Sequence, residues 1–247
     1  MCTLVARFDP SAAIPLVVAA NRDERLDRAA GPPKLWQGPL PFLAPVDLQA
    51  GGSWLGLNAR GVFVGITNRF GVPRDATRGS RGQLVVDALS APSAAELHVR
   101  LSTLSPKAFN AFHLFYADVH AAFVTWSDGE TVTQDTLAPG LHVVTERSLG
   151  GDDRARTERA KTFWRDHVQP AEREEDLAAM MRQHAPDDPL GSLCVHAPAF
   201  NYGTRSSMLL WLAPTLASSR MRWSDHAPCT SEYRPLTQEL ERLAAAV

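Results

Sequence analysis

Cys2-Thr3-Leu4-Val5-Ala6-Arg7-Phe8, then Asp9-Pro10-Ser11, then Ile14-Pro15-Leu16-Val17-Val18-Ala19-Ala20-Asn21-Arg22-Asp23-Glu24, is the stretch that decides the fold. Two β-rich runs flank a cluster of turn formers, which predicts a hairpin over Thr3 to Phe8 and Ile14 to Ala20. In a hairpin the end of the second strand lies beside the start of the first. The polar quartet Asn21-Arg22-Asp23-Glu24 is therefore predicted to stand next to Cys2. Methionine aminopeptidases usually remove Met1 when a small residue follows it. Removal would leave a thiol and a free α-amine on one residue, and an amine with an ordinary pKa near 8 accepts a thiol proton near neutrality. A carboxylate at the neighbouring strand end could hold that amine in place.

The whole chain bounds the rest. Its 247 residues suffice for a sizeable core, and 45% hydrophobic with 21% charged residues is ordinary globular composition. A net charge of -2 gives no reason to expect nucleic acid or an anionic membrane as partner. Cys2, Cys194 and Cys229 form no C-x-x-C and no metal-type spacing, which fits a reducing, cytoplasmic setting. The N-terminal segment lacks the basic head and apolar stretch of a signal peptide, and no run approaches 18 apolar residues, so no membrane span is expected. A small molecule is the expected partner, and nothing speaks to oligomeric state.

Along the chain, residues 24–52 are rich in Pro and Gly and read as a long functional loop. Strands follow at Ser53 to Leu57 and Val62 to Thr67, then helices at Gln83 to Leu89 and, behind the capping box Ser93-Ala94-Ala95-Glu96, to Leu104. Four strands are expected between Ala111 and Thr145, two amphipathic helices over Asp152 to His167 and Ala171 to His184, two strands at Ser206 to Leu212 and Arg220 to Trp223, and a last helix from Leu236. Hairpin-linked strands with helices grouped between them predict an α+β fold of two antiparallel sheets, with one domain over 1–247. Strict strand–helix alternation, the mark of a parallel sheet, is absent.

Cys2, Asn21-Arg22-Asp23-Glu24 and Gly51-Gly52-Ser53-Trp54-Leu55-Gly56 together resemble the NRDE family, also called the transport and Golgi organisation family. Thr67-Asn68-Arg69, Ser80-Arg81-Gly82 and Asn201-Tyr202-Gly203-Thr204-Arg205-Ser206-Ser207 extend the resemblance to about Leu212. It implies an N-terminal-nucleophile (Ntn) hydrolase-like, four-layer αββα sandwich. The Ntn cysteine hydrolases that include bile-salt and penicillin V amidases look similar at the opening Met-Cys-Thr, at Asn21 and Asp23, and at the hairpin Gly56-Leu57-Asn58-Ala59-Arg60-Gly61 leading to Asn68. By that resemblance Cys2 would be the nucleophile, Asp23 the anchor of the amine, Asn68 an oxyanion donor and Arg205 an orienter near the thiol. Asn21, Arg22, Trp36 and Trp54 would contact substrate. Two positions depart from the amidases: their arginine before Asn-x-Asp is Ala20 here, and their oxyanion asparagine falls near Thr145-Glu146, where a carboxylate would repel an oxyanion.

Other signals are weaker. Gly51-Gly52-Ser53-Trp54-Leu55 fails the G-x-S-x-G elbow at Leu55. The histidines show no H-E-x-x-H, so no metal site is expected; Cys194 reads as a buried strand thiol and Cys229 has no evident partner. Two functions stand: a hydrolase of a small amide or thioester needing no cofactor, or a non-catalytic carrier of haem or of acyl-lipid and acyl-CoA. The family's links to haem trafficking and lipid homeostasis imply the second, although no C-x-x-C-H attachment site exists.

Overall fold

The computed structural model describes residues 2–149 and 154–246. The first half runs β1 (Cys2–Phe8), β2 (Leu16–Arg25), β3 (Ala30–Trp36), β4 (Phe42–Asp47), β5 (Leu55–Asn58), β6 (Phe63–Asn68), α1 (Arg81–Ala88) and α2 (Ala94–Leu101). Next come β7 (Phe112–Ala117), β8 (Ala122–Ser127), β9 (Val132–Thr136), β10 (Gly140–Val144), α3 (Arg154–Phe163) and α4 (Glu174–Met181). The chain closes with β11 (His196–Ala197), β12 (Tyr202–Leu212), β13 (Arg220–Ser224), β14 (Arg234–Pro235) and α5 (Thr237–Ala244). Asp152, at the predicted start of the third helix, lies outside the described residues.

One antiparallel sheet has the order β10-β1-β2-β12-β13-β14, with β11 added to β12, and the other runs β3 to β9 in sequence order. The expected α+β sandwich is the observed architecture. Period-two alternation in the first hairpin decides its layering. Leu4, Ala6, Leu16 and Val18 join the core that holds Phe63, Leu114 and Phe115 of the second sheet, while Val5, Val17 and Ala19 pack against Trp164, Leu177, Met180 and Met181 on the helical side. The two sheets approach closely where Leu4 meets Gly65, since a Cβ built there would stand 2.6 Å from a Leu4 methyl. α1 and α2 cover the second sheet, with Leu84, Val85 and Leu97 buried. The predicted cap of α2 is present, with Ser93 Oγ accepting from the Glu96 amide at 3.1 Å.

Two expectations need correction, and the sequence leaves one pairing open. β2 does not stop at Ala20: the polar quartet stays in the strand because β12 supplies a second set of partners, with Thr204 opposite Asp23 and Ser207 opposite Asn21. Residues 24–52 are no long loop but contain the hairpin β3–β4. Pro32 and Pro33 are tolerated there because β3 is an edge strand whose register shifts between Gly31 and Lys34. Finally, β10 leaves β7–β9 and crosses to pair with β1, so that Thr145 and Glu146 emerge beside the start of the chain.

Candidate active site

Cys2 sits opposite Arg22 at the end of the β1–β2 ladder and lines a cavity of about 640 Å³. Burial pushes the thiol above its usual pKa; the main-chain amide of Asp23, hydrogen-bonded to it, works the other way. Asp23 is 2% exposed. Its Oδ1 accepts from Thr204 Oγ1 at 2.6 Å, and its carbonyl oxygen accepts from the Tyr202 hydroxyl at 2.6 Å. Burial drives the Asp23 carboxyl up to about 7, against the opposing pull of the Arg156 guanidinium and the Thr204 hydrogen bond. A carboxyl of that pKa beside Cys2 changes charge in the range where an α-amine also titrates.

Arg22 forms one wall of the cavity. Its guanidinium lies 4.1 Å from the centre of the Trp54 ring and 3.6 Å from Asp47 Oδ2. The floor is set by a backbone contact between Gly52 and Gly82. A Cβ at Gly52 would fall 2.3 Å from the Gly82 carbonyl carbon, so only glycine lets the 47–53 turn meet the start of α1. That contact places Arg81 inside the cavity, where it donates to the Ala111 carbonyl at 3.0 Å.

The lining is rich in arginine. Arg22, Arg28 and Arg78 face the carboxylates of Asp47 and Asp75. Arg74 and Arg81 have no carboxylate at ion-pair distance among the described residues. Burial lowers the pKa of Arg81, Arg74 lowers it further, and Cys2 raises it. Arg74 and Arg81 thus bring two neighbouring cations to the cavity, with Glu24 acting electrostatically on Arg81. Asn68, at the end of β6, lines this cavity and also a second cleft of about 480 Å³. Phe70, Val72, Leu190 and Phe200 make that cleft apolar, with Phe70 and Phe200 largely exposed.

The model of the family described as Transport and Golgi organisation 2 matches residues 1–219. The chain belongs to that family. The human Transport and Golgi organization protein 2 homolog is 30% identical over 129 residues, covering 49% of this chain and 47% of its own length, and the bovine homolog is 30% identical over 128 residues, at 49% and 46%. The matched region thus spans about half the length of these curated relatives. Among solved structures, penicillin V acylase from Agrobacterium tumefaciens aligns with a TM-score of 0.53 at 13% identity, covering 97% of this chain and 88% of its own. The N-acylethanolamine-hydrolyzing acid amidase ortholog of Caenorhabditis elegans gives 0.55 at 11%, covering 85% and 92%. A cysteine-to-alanine mutant of the Clostridium perfringens conjugated bile acid hydrolase gives 0.53 at 9%, covering 99% and 94%. The fold is therefore that of Ntn hydrolases.

Of the residues singled out in the sequence, Cys2, Arg22, Asp23, Trp54 and Asn68 line one cavity. Asn21 does not: it is buried on the helical side and donates to the Met181 and Leu193 carbonyls at 2.9 and 2.7 Å. Trp36 also stands away from the cavity, stacked on Phe42 with its Nε1 donating to Ala44. Arg205 occupies the β12 bulge and lines a neighbouring cleft behind Arg22 and Trp54. Asn58 is a hairpin brace, donating to the Leu89 and Ala91 carbonyls and accepting from the Arg60 and Val62 amides.

Glu146 is no bare carboxylate: Arg156 Nη1 donates to its Oε2 at 3.0 Å, and both side chains are buried. The same guanidinium donates to the Leu190 carbonyl and, at 3.4 Å, to Thr3 Oγ1. Sequence reading missed Arg156, Thr204 and the arginine pair. The motif segments Ser80-Arg81-Gly82 and Asn201–Ser207 carried the local signal for Arg81 and Thr204, and Gly82 is now explained by the contact with Gly52. The reading that left Cys229 without a partner also fails, because its Sγ lies 3.6 Å from Cys194 Sγ and 3.0 Å from His196 Nε2. No helix among the described residues is long and apolar enough to cross a membrane.

Proposed function

We propose that this protein is an N-terminal-cysteine hydrolase acting on an amide or thioester that joins an apolar acyl group to an anionic leaving group. The observation that carries the reading is Cys2 at the edge of the arginine-lined cavity, with the Asp23 carboxyl held beside it by Thr204. With Met1 removed, the Cys2 α-amine would take the thiol proton as sulfur attacks the substrate carbonyl, and Asp23 would hold the resulting ammonium. Asn68 is suited to donate to the oxyanion, being the side chain that borders both clefts. The ammonium then returns its proton to the leaving amine or thiolate. Water, deprotonated by the same amine, cleaves the acyl-cysteine thioester and releases the acid.

The two clefts account for the substrate class. Phe70, Val72, Leu190 and Phe200 suit an acyl chain, and Arg74 with Arg81 suit a carboxylate or phosphate. The fold shared with acylases and amidases supports acyl transfer as the reaction type. A carrier of acyl-lipid on the same surface is the rival. Haem fits less well, because the apolar cleft offers no histidine, cysteine or methionine and Tyr202 is engaged with Asp23.

The test starts from intact mass, to select chain with Met1 removed. Incubation with a long-chain N-acyl amino acid and a long-chain acyl thioester should release free fatty acid and leave a transient acyl adduct on Cys2, both lost in Cys2→Ala. Binding without release from processed protein would establish the carrier instead. An adduct that survives Cys2→Ala but not Cys194→Ala would remove Cys2 as nucleophile.

A further inference from the structure

We infer that His184, Cys194, His196 and Cys229 form a structural zinc site outside the cavity that Cys2 lines, an inference that does not rest on the reaction proposed there. Their ligand atoms all lie within 4.8 Å of one another. The separations fit one tetrahedral cation. With Zn–S near 2.3 Å and Zn–N near 2.0–2.1 Å, a tetrahedral site has S···S edges of about 3.8 Å and S···N edges of about 3.5 Å. Here Cys194 Sγ lies 3.6 Å from Cys229 Sγ and 3.7 Å from His196 Nε2, and Cys229 Sγ lies 3.0 Å from His196 Nε2. Two thiolates and two imidazoles are the donor set that selects zinc over magnesium or calcium.

The surrounding chain holds these groups for ligation. Cys194 and His196 are two apart in the chain, and the bend leading into β11 turns both side chains to one point, with Cys194 Sγ 3.7 Å from His196 Nε2. The Cys194 amide donates to the Gln183 carbonyl at 2.9 Å, which brings the turn after α4, and with it His184, alongside. His184 Nδ1 lies 3.0 Å from the Cys194 carbonyl oxygen. That is the contact a metal-bound imidazole makes with its second nitrogen, and it leaves Nε2 for the cation. The His184 and His196 ring centres are 5.1 Å apart. Cys229 arrives from the segment after β13, so three separate stretches of chain meet at one point. Four protein ligands leave no open coordination position, which makes the site structural rather than catalytic.

The clamp lies close to the candidate nucleophile's support. Val195, between the two consecutive ligands, donates its amide to Thr204 Oγ1 at 2.8 Å, and Thr204 Oγ1 donates to Asp23 Oδ1 at 2.6 Å. Leu193, on the other side, accepts from Asn21 at 2.7 Å. A cation here would fix the segment from which Asp23 is held. Binding would displace two thiol protons to solvent for each zinc taken up.

The full chain, chelator-stripped and fully reduced, should take up one Co²⁺ per molecule. The expected signature is a thiolate-to-cobalt charge-transfer band with the intense visible bands of tetrahedral cobalt, bleached by one equivalent of Zn²⁺. Cys2→Ser should retain the full band. Cys229→Ser and His196→Ala should each weaken binding by at least about 100-fold, beyond what loss of an outer partner alone brings. His196 is exposed, so its variant tests ligation where a cysteine variant could unfold the loop. Absence of cobalt or zinc uptake by the reduced protein would overturn the assignment. So would a band that persists in both Cys194→Ser and Cys229→Ser, or one lost in Cys2→Ser.

Discussion

Replacing Thr204 with valine deletes one hydroxyl and keeps the shape of the side chain. That hydroxyl donates to Asp23 Oδ1 at 2.6 Å, inside a site where Asp23 is 2% exposed. Burial lifts the Asp23 carboxyl to about 7, and the Thr204 hydrogen bond is one of the interactions holding it from rising further. A hydrogen bond to a charged group contributes roughly 1.5–3 kcal/mol. Since one pKa unit corresponds to about 1.4 kcal/mol, its loss should raise the carboxyl by about 1–2 units. At pH 7 the ionised fraction would fall from about half to roughly a tenth or less. The measurement is a pH titration of the side-chain carboxyl carbon by NMR on ¹³C-aspartate-labelled protein, with the resonance assigned by its absence in Asp23→Asn. A wild-type midpoint near the ordinary aspartate value would refute the burial reasoning. A midpoint that stays put in Thr204→Val would refute the role given to the hydroxyl.

The same carboxyl makes stability depend on pH. Its folded pKa of about 7 lies above the unfolded value near 3.9, so the native state holds the extra proton between those limits. Stability contributed by this group is therefore present below pH 4 and lost as pH rises through 7, by roughly 4 kcal/mol at most. Urea unfolding at pH 5 and pH 8 should show that decline in the wild type and a flatter profile in Asp23→Asn; equal slopes in the two proteins would contradict it. Arg81→Ala should raise KM about 10–100-fold for substrates with an anionic leaving group while leaving neutral thioesters nearly unaffected, and an equal loss on both would assign Arg81 to packing. Asn21→Ala strips donors from two buried carbonyls, Met181 and Leu193, and should cost about 2–4 kcal/mol. A fall in Tm of under 1 °C by calorimetry would show those bonds to be dispensable.

What the sequence revealed was local. The Cys2–Phe8 hairpin, the Ser93 cap and the hairpin around Asn58 each follow from residues close in the chain, and each is found. The β3–β4 hairpin was hidden because Pro32, Pro33 and Pro45 suppress the strand signal, and the edge position that excuses Pro32 and Pro33 is not announced by composition. The crossing of β10 to β1 is a long-range pairing that periodicity does not specify. The site divides along the same line. Cys2 and the Asn21–Glu24 quartet are neighbours by register, so their association could be read. Thr204 and Arg156 come from segments far along the chain, and their roles depend on which strand lies next to β2. Asn21 illustrates the converse: a polar residue in a motif looked like a ligand contact, yet in a strand its side chain faces opposite to its neighbours, toward α4. Cys229 has no motif at all, since its partners are brought to it by tertiary structure.

The two clefts share a single lining residue, Asn68. Every other side chain that shapes the apolar cleft comes from residues 69–72, Glu146, Leu190, Phe200 or Tyr202, and none of these lines the arginine cavity. Tyr202 and Glu146 reach across to Asp23, but the surfaces around Phe70, Val72, Leu190 and Phe200 are separately mutable. Drift in the loops around Phe70 and Phe200 can retune what is accepted on one side without disturbing the charges on the other. Members of a family built on this plan can diverge in one half of their ligand while keeping the other.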